Sequence, residues 1–356
     1  MLPPVSHRSL VSFCCLCVLF VLPGCGSSSS TSPPVPSEPD TPLVRGVTTK
    51  ISLQVGDQLR TFHIRLPPQF METTAAPLLY VLHGRFGSGL QTESTYGFAP
   101  FADNNGWIVV YPDGYEKSWA DGRGATPADL AGIDDLAFFD AMQVYLEQRI
   151  LLDPLRIYCC GMSNGAFMTQ RLGLERTGRF AAIASVAGTL AVSHLAKVPS
   201  APLSVLIIHG QADSLVPYTG GSAQGDILGV DALEERWHVS NNITVVGSEV
   251  VLPDLFEDTC RVWSRVSENG PYAVKRLRIV GGGHNWPSRP GTLVVGAVCY
   301  DVDATQEISQ FFAEHPRPNP GGSSLVATYR AVFTVDFGRL LQAHRMPRRW
   351  GWEKVP

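Results

Sequence analysis

The sequence predicts an α/β protein with a mostly parallel central sheet flanked by helices, folded as a single domain that opens with a β-hairpin. Three observations carry this. From residue 77 to residue 315, short apolar runs alternate with helical patterns, as expected of strands covered on both faces by crossover helices. A buried-strand signature at residues 157–161 runs straight into the helix formers around Ala166 and Met168, with only Gly161-Met162-Ser163-Asn164-Gly165 between them. Two later apolar runs, at 203–208 and 274–280, each lead into polar residues: His209-Gly210-Gln211-Ala212-Asp213 and Gly281-Gly282-Gly283-His284-Asn285-Trp286.

Taken in order, residues 1–25 read as a targeting segment. Arg8 precedes an apolar run at 10–22 that has the length of a signal-peptide core and is too short to span a bilayer, which needs roughly twenty residues. The segment closes on Leu22-Pro23-Gly24-Cys25, which resembles a bacterial lipobox whose cysteine becomes the lipidated first residue. The alternative is a plain secretory signal cut nearby. Both predict export, to the bacterial cell envelope or the extracellular space, and in the lipobox reading the N-terminal lipid is the only membrane contact. Residues 26–42 are rich in Ser, Thr and Pro and bury too little surface to fold, so they read as a disordered tether.

The folded domain is expected at 43–315. Segments 50–55 and 60–66 alternate about Gly56-Asp57 and read as a hairpin. Residues 77–82 form a doubly buried strand ending at His83-Gly84-Arg85, and 107–111 another, stopped by Pro112-Asp113-Gly114. Residues 122–132 read as irregular. Asp134-Asp135 are expected to cap the helix at 136–150 and to complement its dipole. After the strand–turn–helix come a strand at 180–186, the run at 203–208, a loop at 220–229 and a helix at 230–239. Residues 243–252 alternate weakly, as an edge strand or a lid element, and 301–315 form an amphipathic helix. PRPNPGG then breaks the pattern, and 316–356 reads as a poorly ordered tail with a basic, aromatic end.

The chain has 356 residues, is 44% hydrophobic and carries a formal net charge of -4, enough for one large core and without the basic stripe that nucleic acid demands. Four of its eight cysteines remain outside the targeting segment. Cys159 and Cys160 are adjacent on a strand, point to opposite faces and read as buried small hydrophobes, whereas Cys260 and Cys299 are candidates for a disulfide.

The order Ser163, Asp213, His284 is the order of nucleophile, acid and base on successive strand ends of an α/β-hydrolase sheet. A serine hydroxyl is a weak nucleophile, so Ser163 needs His284 to take its proton, and Asp213 to hold the imidazole in the useful tautomer. Charge developing on a carbonyl oxygen needs fixed donors: the backbone N–H of Asn164, at the start of a helix, and that of Arg85. Asp254 and Asp258 are weaker candidates for the acid, and His83 and His209 read as loop braces. Trp119 and Trp286 either wall a substrate pocket or pack in the core. The sequence holds no H-E-x-x-H or spaced Cys/His cluster, so neither metal nor organic cofactor is expected.

Leu82-His83-Gly84, Tyr111-Pro112-Asp113-Gly114, Asp134-Asp135, residues 156–165, His209-Gly210 with Asp213, and residues 281–287 together resemble the polyhydroxybutyrate depolymerase and feruloyl esterase group. That resemblance implies a secreted serine esterase acting on carboxylic esters through an acyl-serine, with a polymeric ester substrate, a polyhydroxyalkanoate or a feruloylated polysaccharide, as the partner. Two departures stand out. Arg85 occupies a position where such enzymes carry a small residue or cysteine, and Asn241-Asn242 stand where a glycine-cysteine pair is expected. The competing readings are a surface lipoprotein that keeps the fold only to bind a glycan or partner, and an acyltransferase.

Overall fold

The computed structural model describes residues 41–222, 224–291 and 294–319. The targeting segment, Cys25, all but the end of the tether, and the tail beyond residue 319 lie outside them.

Twelve strands alternate with seven helices among these residues. They are β1 (Thr48–Val55), β2 (Gln58–Arg65), β3 (Ala76–Leu82), α1 (Gly89–Tyr96), α2 (Phe98–Asn105), β4 (Ile108–Pro112), α3 (Pro127–Leu130), α4 (Asp135–Glu147), β5 (Leu152–Met162), α5 (Asn164–Glu175), β6 (Ala182–Val186), β7 (Ser204–Gly210), β8 (Gly221–Ser222), β9 (Asp226–Ile227), α6 (Val230–Ser240), β10 (Val250–Val251), β11 (Arg261–Asn269), β12 (Tyr272–Val280) and α7 (Ala304–Glu314). Ten strands make one sheet in the order β1-β2-β4-β3-β5-β6-β7-β12-β11-β10. Its centre, β4-β3-β5-β6-β7-β12, is parallel throughout, and antiparallel pairs close both edges. The predicted N-terminal hairpin is present, with Val55 opposite Gln58 across the Gly56-Asp57 turn.

Side chains of the central strands alternate between two apolar layers, because successive residues of a strand face opposite ways. Leu78, Tyr80, Leu82 and Cys159 pack with Phe138 and Met142 of α4, Met168 and Leu172 of α5 and Trp237 of α6. Leu79, Val81, Tyr158 and Cys160 pack with Phe98 of α2 and Ile308, Phe311 and Phe312 of α7. Cys159 and Cys160 thus lie on opposite faces, both buried, as expected.

The structure corrects several boundaries. Residues 122–132 contain the short helix α3, capped by Thr126, which accepts the N–H of Asp129. Within 243–252 only Val250 and Val251 form a strand, paired at the sheet edge to β11. Strand β11 itself has no counterpart among the expected elements. Its residues Arg261, Ser264, Arg265, Ser267, Glu268 and Asn269 mask the alternation, and it owes its place to pairing with β12 along its whole length. Of the two aspartates at the start of α4, Asp134 is the cap, accepting the N–H of Ala137, whereas Asp135, the first helical residue, turns inward.

Candidate active site

Strand β5 ends at Met162 and α5 begins at Asn164, so Ser163 alone makes the turn, at φ 53° and ψ -121°. A non-glycine residue there is strained, and the surroundings hold it. A Cβ added to Gly165 would lie 2.5 Å from the carbonyl oxygen of His83 and 2.6 Å from that of Leu82; one on Gly161 would lie 2.5 Å from the oxygen of Gly165. The helix start is therefore pressed against the end of β3, which only glycine permits. The Ser163 N–H donates to the Val186 carbonyl at 2.9 Å, fixing the turn from the other side.

The loop after β3 passes the serine at contact distance: a Cβ on Gly84 would sit 3.4 Å from that of Ser163. His83 braces this loop. Its Nε2 accepts the N–H of Gly114 at 2.8 Å, so its Nδ1 carries the proton and donates to the Gly84 carbonyl at 2.7 Å. Burial lowers its pKa and keeps the ring neutral, as that pattern requires. Asn164, the first residue of α5, has a backbone N–H with no acceptor in its own helix. Its side chain is clamped: Oδ1 accepts the N–H of Trp119 at 2.8 Å, while Nδ2 donates to the Trp119 carbonyl at 3.0 Å and to Asp121 at 2.7 Å.

This clamp reaches the N-terminal hairpin. Asp135 accepts from Arg60 of β2 at 2.7 Å and from the N–H of Ala120 at 2.7 Å, next to Trp119. Burial raises the Asp135 pKa, with Arg60 opposing, so the carboxylate depends on its partners.

Asp213 and His284, the expected acid and base, arrive from β7 and β12, two and three strands along the sheet from β5. The Ala212 N–H donates to the Gly282 carbonyl at 2.9 Å, and that of Gln211 to Ile279 at 2.8 Å, joining the turn after β7 to the turn after β12. Gly210 allows it, because a Cβ there would meet the Gly282 oxygen at 2.3 Å. Across this seam His284 Nδ1 lies 2.7 Å from Asp213 Oδ2. The other Asp213 oxygen accepts the N–H groups of Leu215 and Val216 at 2.9 and 2.8 Å. Nδ1–H of His284 is thus committed to the carboxylate, and Nε2 is left as the basic atom. His209 is a loop brace, its Nε2 donating to the Val216 carbonyl at 2.9 Å.

Ser163, Asn164, His284 and Arg85 all line one cavity of about 310 Å³, with Asp213 buried behind the imidazole. Trp286 also lines it, fully buried, stacked on Tyr96 at 4.0 Å and donating to Thr305 at 3.0 Å. Trp119 does not. Its indole lies behind the Ser163 turn, fully buried, and donates to the His83 carbonyl at 2.9 Å, so the pocket-wall expectation is corrected to a brace of that turn. Asp254 pairs with Arg261 and Asp258 accepts backbone N–H groups of Cys260 and Tyr300, away from His284. Asn241 takes a structural place too, exchanging hydrogen bonds with both backbone groups of Leu203.

Cys260 and Cys299 are thiols in this structure, although their sulfurs, with an Asp258 oxygen, lie within 4.8 Å of one another. This is the one group of metal-capable side chains among the described residues. Both Asp258 oxygens are engaged by backbone N–H groups and burial pushes the Cys299 thiol up to about 12, which suits a buried loop anchor better than a metal. Sequence reasoning missed Tyr96, Met162 and Arg123 of the cavity wall. Only Met162, inside the serine motif, had a local signal; the others come from loops whose approach depends on the fold.

A central parallel sheet, a strained serine between strand and helix, and a hydrogen-bonded aspartate and histidine on later strand ends define an α/β-hydrolase fold. The comparisons with known proteins agree. No family model matches the chain. NocK of Nocardia uniformis subsp. tsuyamanensis, an esterase by name, is 28% identical over 72% of this chain and 80% of its own length. Feruloyl esterase B of Piromyces equi is 33% identical over 45% of this chain, a match that spans only 30% of that protein. Among solved structures, an acetyl xylan esterase from Aspergillus awamori superposes with a TM-score of 0.51 at 14% identity, over 74% of this chain and all of that one, a likeness of fold. The chain resembles the feruloyl esterase group, and its esterase relatives support carboxylic-ester hydrolysis as its chemistry.

Proposed function

We propose that this protein is an exported serine esterase, tethered through Cys25, that hydrolyses an aromatic or hydroxyacyl ester carried on a polymer. The observation that carries the reading is the 2.7 Å bond between His284 and Asp213 at a cavity that also receives Ser163. Ser163 Oγ attacks the ester carbonyl as His284 Nε2 takes its proton, and the oxyanion meets the N–H groups of Asn164 and Arg85. His284 then protonates the departing alcohol, leaving an acyl-serine. Water, deprotonated by the same imidazole, attacks the acyl-serine and releases the acid and the serine hydroxyl. The feruloyl esterases among the relatives favour a hydroxycinnamoyl ester, for which the Tyr96–Trp286 stack offers an aromatic wall.

Purified protein is expected to hydrolyse p-nitrophenyl butyrate and to lose at least about 10⁴-fold in kcat on Ser163→Ala. Activity surviving that change sinks the reading. Release of ferulate from feruloylated arabinoxylan, against release of hydroxybutyrate from its polyester, names the substrate. Product analysis with added alcohols distinguishes hydrolysis from acyl transfer.

A further inference from the structure

Two arginines, Arg85 and Arg123, line the catalytic cavity, and among the described residues no aspartate or glutamate does. Their situations differ. Arg123 holds both oxygens of the fully buried Asp121, through Nε at 3.0 to 3.1 Å and Nη2 at 2.7 Å, and lies over the Phe167 ring, so its charge is spent on bracing the Asn164 clamp. Arg85 has no carboxylate within ion-pair distance among the described residues. Its Nη1 donates to the neutral amide of Gln224 at 2.9 Å, its guanidinium stands 5.0 Å from the Phe86 ring, and its Nε is buried without a partner. A guanidinium offers five donors and prefers a carboxylate taken through two of them. A half-buried one held by an amide and a ring, beside the nucleophile and in a cavity whose described lining has no acid, is placed to pair with an incoming anion.

We infer that Arg85 selects the substrate: the cavity takes esters that carry a free carboxylate a few bonds from the scissile carbonyl, with that carboxylate paired to the Arg85 guanidinium. This rests on the serine-esterase reading and narrows its substrate class. Two sources supply the same chemistry. The carboxylate belongs to the acyl part, as in a half-ester of a dicarboxylic acid, or to the alcohol part, as in a hydroxy acid or uronic acid whose hydroxyl is acylated. The reaction is unchanged: one ester C–O bond breaks, water supplies the new C–O bond, and the carboxylate stays a spectator.

The test uses two matched pairs on the full chain. p-Nitrophenyl hydrogen adipate against its methyl ester places the charge in the acyl part; para-acetoxybenzoate against its methyl ester places it in the leaving group. The readout is the charged-to-neutral ratio of kcat/KM within one variant, so changes in the shared chemistry cancel. Wild-type protein is expected to favour the charged member of one pair by about fivefold or more at low salt, and that pair identifies the side. Arg85→Gln keeps the backbone N–H and should bring the ratio to unity or below, Arg85→Lys should retain part of it, and Gln224→Ala, which frees the guanidinium, should preserve or raise it. Neutral esters turned over in a Ser163-dependent way, with flat wild-type ratios or ratios that survive Arg85→Gln, overturn this inference alone. If neither charged nor neutral esters react, the esterase reading fails and takes the inference with it.

Discussion

The serine itself is set by one contiguous piece of chain, β5, Ser163 and α5, against which the loops after β3 and β4 pack, whereas the histidine side is assembled from turns 71 residues apart. On the first side, a strained residue is held by backbone packed so closely that glycines at 161 and 165 are required. On the second, no comparable strain is needed; two turns are laced together by backbone hydrogen bonds, and one carboxylate serves both the ring and its own loop. Placement comes from local geometry in one case and from register between neighbouring strands in the other. A nucleophile must stand in a fixed position relative to two oxyanion donors, while the base needs mainly the right tautomer and aim.

The sharpest way to break this contrast is at the acid. Asp213→Asn keeps an oxygen for the N–H groups of Leu215 and Val216 but cannot hold an imidazolium at Nδ1. We expect kcat to fall by about 10⁴-fold, with little change in the melting temperature. A loss below tenfold in steady-state kinetics would mean that the histidine side is oriented by its backbone seam and that Asp213 is dispensable.

The serine side predicts the opposite balance of stability and chemistry. In Gly165→Ala the new methyl group would meet two backbone carbonyls at 2.5 and 2.6 Å, and neither can move without shifting β3. The expected cost is about 1–3 kcal/mol of unfolding free energy, measured by urea denaturation, together with a fall in kcat as the Asn164 and Arg85 donors separate. Unchanged stability would show that the Ser163 turn has slack that its geometry denies.

The same contrast explains what was legible. The serine turn, its strand and its helix could be read because glycine spacing and a change of periodicity lie within thirteen residues. The meeting of Asp213 with His284 could be read because each follows an apolar run and because their chain order is that of an α/β-hydrolase. Strand β11 could not, since pairing with β12 and not its own polar pattern makes it a strand. Nor could the separate fates of Trp119 and Trp286. Both are buried and hydrogen-bonded, and only the tertiary path of residues 114–121 puts the first behind the serine turn while the second reaches the cavity. Asp135 read as a cap because its neighbour Asp134 is one; its true partner, Arg60, is 75 residues away.

The smallest predicted effect is a pH dependence seated on the bracing histidines of the two sides, His83 and His209. Burial lowers the pKa of both, so the folded protein keeps them neutral where the unfolded chain, with imidazoles near about 6.5, takes up protons. Unfolded chain binds more protons in that window. Their stabilising contribution is therefore complete above about pH 6.5 and declines as pH falls below it, by at most about 1.4 kcal/mol per pH unit for each ring. Asp121 and Asp135 act in the opposite sense, because burial raises their pKa values and favours the folded state on acidification. A wild-type profile alone mixes the two. His83→Gln retains an acceptor for the Gly114 N–H and does not titrate, so subtracting its urea-unfolding profile between pH 5 and 7.5 from that of the wild type isolates one histidine. The difference should grow in the variant's favour as pH falls, and the loop that carries Gly84 and Arg85 should feel it, because a protonated His83 can no longer accept from Gly114. A difference that stays constant across the window would show that His83 is not held neutral by the fold, and with it would go the account of how the loop offering the proposed second oxyanion donor is kept in place.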